Sequence, residues 1–173
     1  KVSLLRHLLK TFEVDSKILV FVSSRSLADT LFEEINEEFS DSIGVIHSNK
    51  AQNFRFEAVQ RFQTGATRVL IATDLIARGI DVTDVTHVIN FDIPENPENY
   101  IHRIGRTGRA DKNGIAITFI TEKDDSALES IQVLMQQDLV FEKTPKQVAY
   151  TTELLEFEKP VVAIPGKALK LPS

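Results

Sequence analysis

Lys17-Ile18-Leu19-Val20-Phe21-Val22, followed by Ser23-Ser24-Arg25-Ser26, is the passage from which the fold is read. So short and continuous an apolar run has no polar side, as a strand buried on both faces of a parallel sheet requires. The serines supply a loop and a helix N-cap, and Leu27 to Phe39 is amphipathic at helical spacing. Outward from this unit the alternation repeats. Val2 to Phe12 reads as an opening helix with apolar residues at Leu4, Leu5, Leu8, Leu9 and Phe12. Downstream come strand Ile43 to His47, helix Ala51 to Gln63, strand Arg68 to Ala72 and a short helix near Leu75 to Arg78. Strand His87 to Phe91, helix Pro97 to Arg103, strand Ile115 to Ile120 and helix Asp124 to Gln136 complete the series.

Strands alternating with helices predict an α/β fold with right-handed crossovers and a parallel sheet covered by helices on both faces. Ligands of such sheets gather at the carboxyl ends of the strands. Ser23 to Arg25, His47 to Lys50, Thr73-Asp74 and Asp92 each follow an apolar strand, so one edge of the sheet is lined with hydrogen-bonding groups. The pattern fills residues 1–148 as one domain. From residue 149 to 173 the chain changes character, with Glu153, Glu156 and Glu158 followed by Pro160, Pro165 and Pro172. Its apolar residues, Leu154 to Ile164, favour an extension strapped over the domain; a linker is the alternative.

A chain of 173 residues with 42% hydrophobic and 26% charged residues has the composition of one ordinary globular domain. It has no cysteine, hence no disulfide framework and no thiolate metal site, which fits a reducing cytoplasm. No apolar run approaches the length of a membrane span. The chain opens on Lys1 without an initiator methionine, as a piece of a longer protein would. A formal net charge of −5 argues against a general nucleic-acid-binding surface, so any polyanion site must be focused.

That focus falls on Tyr100 to Arg109, Tyr-Ile-His-Arg-Ile-Gly-Arg-Thr-Gly-Arg. Arg103, Arg106 and Arg109 recur at a spacing of three, which sets guanidiniums on neighbouring turns of a short helix or its frayed end. Gly105 and Gly108 between them suit a backbone leaving helical geometry or a ligand approaching closely. Bidentate arginine matches phosphate oxygens, and one aimed at a transferring phosphoryl group acts as an arginine finger. A solvated basic helix end is the plain alternative for such a charge run.

The order His102-Arg103-Ile104-Gly105-Arg106-Thr107-Gly108-Arg109 resembles motif VI of the DEAD-box RNA helicases. Thr73-Asp74-Leu75-Ile76-Ala77-Arg78-Gly79-Ile80-Asp81 resembles their motif V nearly letter for letter, and Ile18 to Arg25 their motif IV. Gln52-Asn53-Phe54-Arg55 matches the family's Gln-x-x-Arg element, although His47-Ser48-Asn49 stands where members usually read His-Gly-Asp. The resemblance covers roughly Lys17 to Ile120. It implies a RecA-like three-layer sandwich. It implies RNA-backbone contacts from Ser23, Ser24, Arg25, Gln52, Arg55, Thr73 and Gly79, and nucleotide contacts from Asp81, Arg106 and Arg109. Arg109 would be the finger and Arg106 its companion, while His102, Arg103 and Arg78 would couple to a partner domain.

The sequence has no Gly-x-x-x-x-Gly-Lys-Ser/Thr, no Asp-Glu-Ala-Asp, no Ser-Ala-Thr and no Q motif. The resemblance is therefore to the second RecA-like domain alone, with ATP and Mg2+ held mainly by an N-terminal RecA-like domain of the same protein. By itself this chain is expected to be inactive. With no aromatic platform of the ribonucleoprotein type legible, backbone contact is expected to prevail over base stacking. A DNA-directed translocase of superfamily two and a catalytically silent RecA-like adaptor remain as alternatives.

Overall fold

The computed structural model describes residues 1–77, 82, 85–107 and 114–148. Five strands, β1 (Ile18–Val22), β2 (Ile43–Ile46), β3 (Val69–Thr73), β4 (His87–Asn90) and β5 (Ile115–Thr118), form one sheet in the order β2-β3-β1-β4-β5. All four pairings are parallel. The helices are α1 (Val2–Thr11), α2 (Arg25–Asn36), α3 (Gln52–Gln63), α4 (Asp74–Ala77), α5 (Pro97–Ile104) and α6 (Asp125–Met135).

Every residue of β1 and β3 is buried, as their unbroken apolar runs require at the centre of a covered sheet. Alternate residues of β1 enter two separate cores. Ile18, Val20 and Val22 pack with Leu5 and Leu9 of α1 and Leu31 and Ile35 of α2. Leu19 and Phe21 pack with Ala58 and Phe62 of α3 and Ala77 of α4 on the other face. The result is helix, sheet, helix, the three-layer sandwich that the alternation predicts. At the β5 edge the cover thins, and Ile115 is 49% exposed.

Local chemistry sets the element ends. The Ser24 hydroxyl accepts from the Leu27 amide at 3.1 Å, so α2 begins at Arg25, earlier than the amphipathic stretch alone predicts. It stops at Asn36 rather than Phe39, and the chain then turns through Asp41 at φ 64. Helix α5 starts with Asn96 as its cap, accepting from Glu98, and with proline in its first turn. The carboxyl end of α1 is held from across the fold by Arg68, which donates to Leu9 O at 3.1 Å and Phe12 O at 3.0 Å.

Candidate nucleotide and nucleic-acid interface

The polar groups that follow β1, β3 and β4 converge on one guanidinium. Arg103, on α5, is 1% exposed. Its Nε and Nη2 donate to Asp74 Oδ1 and Oδ2 at 2.6 and 2.8 Å, a bidentate pair at the start of α4. Its Nη1 donates to the Asp92 carbonyl at 2.8 Å and to Asn90 Oδ1 at 3.3 Å. The guanidinium also lies over the Phe21 ring, 5.2 Å from its centroid. Asp92 in turn accepts from both the backbone N–H and the hydroxyl of Ser23, at 2.9 and 2.5 Å. One hydrogen-bonded chain thus runs from Ser23 through Asp92 and Arg103 to Asp74, beside Thr73.

A second cluster joins the ends of β1 and β2. Arg25 donates to Asn49, which ties the start of α2 to the loop ahead of α3. His47 is 2% exposed and meets Asp29 of α2 at 3.0 Å, while the Lys50 ammonium reaches the same Asp29 oxygen at 2.8 Å. Burial acts to raise the Asp29 pKa, but hydrogen bonds and charge from Lys50 and His47 outweigh it and hold the carboxyl below its ordinary value. Gln52 is exposed at the start of α3 and Arg55 is half-buried beside it, with its Nε unpaired. Thr73 is buried at the end of β3, opposite Val22 of β1.

At the far end of α5, Arg106 and His102 line a shallow indentation with Phe21, Asp74, Ala77 and Arg103. Thr107 pins this end to the sheet, donating from its hydroxyl to Val85 O at 2.8 Å. Gly105 is required by the helix itself: a Cβ there would lie 3.1 Å from Ile101 O. Arg78, Gly79, Asp81 and Arg109 lie outside the described residues, as does the expected extension at 149–173.

The structure places two of the expected site residues otherwise than the sequence reading does. Arg103, expected to face a partner domain, spends its donors inside its own domain. A buried cation needs that many partners to offset lost hydration. Ser23, expected to hold a phosphodiester, already donates its N–H and O–H to Asp92. Asp74, Asn90 and Asp92 are the anchors that the sequence reading did not assign. Their signal was their position just after apolar strands. Among the described residues no group of three or more His, Asp or Glu converges as a metal site, and no helix is long and apolar enough to cross a membrane.

Comparison with known proteins bears directly on this arrangement. A family model described as the helicase conserved C-terminal domain matches residues 1–111. The DEAD-box ATP-dependent RNA helicase CshA of Bacillus subtilis is 44% identical over 127 residues, 73% of this chain and 26% of that protein. Eukaryotic initiation factor 4A-1 of Arabidopsis thaliana is 40% identical over 149 residues, 86% of this chain and 35% of that protein. The chain thus spans about a quarter to a third of the length of these curated relatives. Among solved structures, the C-terminal domain of the DEAD-box protein Dbp5 superposes with a TM-score of 0.70 at 30% identity, covering 78% of this chain and 77% of that one. Domain 2 of the Mss116p DEAD-box helicase, bound to an RNA duplex, superposes with a TM-score of 0.72 at 26% identity, covering 85% of this chain and 59% of that one. A matched family model over most of the chain, a parallel five-stranded sheet of the same fold, and the arginine-bearing α5 docked on its polar edge agree: the chain belongs to the DEAD-box RNA helicases, as their RecA-like helicase C-terminal domain.

Proposed function

We propose that this domain supplies RNA-backbone contacts and the arginine finger to an ATP-dependent RNA helicase, the rest of whose ATPase site lies on an N-terminal RecA-like domain. The observation that carries this reading is the chain of bonds from Ser23 through Asp92 and Arg103 to Asp74. It makes one rigid body of the strand ends that would face RNA and the helix that leads to Arg106 and Arg109.

Phosphate oxygens need donors, and Arg25, Gln52, Arg55 and the Ser24 hydroxyl are side chains at the carboxyl edge that retain them. Contacts of this kind hold the sugar–phosphate backbone and carry little sequence information. Thr73 and Gly79 complete the RNA side, with Thr73 reached at the strand end. On the nucleotide side, Arg106 and Arg109 would hold the γ-phosphate and Asp81 would orient them. ATP with Mg2+, bound mainly by the N-terminal domain, supplies the phosphoanhydride. The donor set fits that group, since half-buried Arg106 and exposed His102 open on one indentation whose only carboxylate, Asp74, is already neutralised by Arg103.

His102 and Arg78 would couple closure of the two domains, with Arg103 acting from inside as the residue that positions α5. RNA and ATP that both prefer the closed arrangement raise each other's affinity by linkage. A cytoplasmic setting accords with the absence of cysteine.

The test is Arg109→Ala in the intact protein. Loss of a finger costs roughly a thousand- to a hundred-thousand-fold in turnover. RNA-stimulated ATP hydrolysis should fall by at least the lower figure while circular dichroism stays unchanged. Turnover at the wild-type level would remove the finger assignment.

A further inference from the structure

Helix α3 leaves two phenylalanines in solvent. Phe56 is 72% exposed and Phe54 46%, while Ala58 and Phe62 fill the inward side of the same helix at 9% and 0%. A lone exposed ring is unremarkable in general. The position of these two is what matters, because they stand in the first turns of the helix that also carries Gln52 and Arg55.

Helical side chains lean toward the helix N-terminus, over the preceding turn. The lean is visible here: the Lys50 ammonium lies 5.7 Å from the centroid of Phe54, four residues on. Phe56 stands in the same relation to Gln52, so its ring lies over the turn that Gln52 opens. The groups around it favour an anion. Arg55 adjoins it in the chain, Lys50 flanks Phe54, and Arg25 is steered to the same loop by Asn49. The nearest carboxylate of that loop, Asp29, is taken up by His47 and Lys50. Glu57, also exposed, is rotated a quarter turn or more away on the helix.

We propose that Phe56 is a stacking platform for one nucleobase of a single-stranded RNA whose adjacent phosphates are held by Gln52 and Arg55. This rests on the RNA reading above and goes beyond it, since it gives the grip a base-facing, uncharged component where the sequence leads one to expect backbone contact alone. Every base offers a π face, so the platform strengthens binding without selecting a sequence. Phe54, with one side of its ring beside Lys50, forms the flank.

The experiment measures binding of a fluorescent single-stranded oligouridine to the intact protein across a salt series, with a non-hydrolysable ATP analogue present. Phe56→Ala should weaken binding about tenfold at every salt concentration. The slope of log affinity against log salt should stay unchanged, because no phosphate charge is neutralised by a ring. Phe56→Trp should bind as well as wild type, and 5-iodouridine RNA should photocrosslink at position 56. Arg55→Ala serves as the control for the underlying reading and should flatten the slope. If Arg55→Ala flattens it while Phe56→Ala binds normally and no crosslink forms, the stacking proposal falls and RNA contact stands. If neither variant alters binding, the RNA reading of this edge falls and the platform with it. Normal RNA affinity with lost ATP turnover in Phe56→Ala would seat the ring against a protein surface and overturn the proposal.

Discussion

Arg103 and Lys50 both sit among polar groups at the same edge of one sheet, and they are built to opposite ends. Arg103 is sealed at 1% exposure, its guanidinium forked onto Asp74, bonded to Asn90 and the Asp92 carbonyl, and stacked over Phe21. Lys50 is a third exposed and its partner Asp29 is 42% exposed. The contrast separates two duties. A buried charge with every donor satisfied costs a great deal to break and specifies one geometry. A surface pair stabilises by little, and its cation remains within reach of a ligand. The sealed cluster holds the strand ends and α5 in register; the open one faces the path proposed for RNA.

The most forceful way to break this comparison is Arg103→Ala. It leaves the Asp74 carboxylate without its fork and a void beside Phe21, and should cost about 3–5 kcal/mol in denaturant unfolding, the usual penalty for half of a buried ion pair. Lysine at 103 should recover only part, because an ammonium does not reproduce the fork. A loss under about 1 kcal/mol would show that the cluster is no more structural than the Lys50 pair. Ser23→Ala tests the next link outward. It removes one hydroxyl donor from Asp92 while the backbone N–H remains, so stability should drop by about 1 kcal/mol.

The smallest effect should come from the open cluster. Asp29→Asn should cost at most about 1 kcal/mol at neutral pH. Because the folded state holds the Asp29 pKa below its ordinary 3.8, the carboxylate's contribution is present above that value. It is lost as the pH falls through the lower folded value. Stability curves for wild type and Asp29→Asn should therefore converge in acid. A gap that persists below about pH 3 would mean that the aspartate acts through packing rather than charge.

Much of the fold was legible because its signals are local. Five buried runs separated by helical periodicity leave a parallel sheet as the economical arrangement, and every predicted strand and helix is present within a few residues. The misplaced boundaries are those set by a single bond or turn, such as the Ser24 cap and the left-handed Asp41. The candidate site was legible as a set of residues at one edge. Its internal wiring was not. Ser23 and Asp92 are separated by 69 positions, and Arg103 and Asp74 by 29. No period in the sequence relates them.

The sequence by itself determined which side chains the domain has to work with and the order of strands and helices that delivers them. Hydrophobic spacing and capping act over a few residues, so they are written in neighbours. Only the tertiary structure decided what each side chain does. Spaced by three, Arg103 and Arg106 are equivalent in the sequence, yet packing of α5 against β4 buries one among carboxylates and leaves the other on an open indentation. Phe56 and Phe62 are likewise two phenylalanines of one helix, and the sheet shelters Phe62 and not Phe56. Burial depends on what lies opposite a residue in space, and the chain supplies that neighbour from far away.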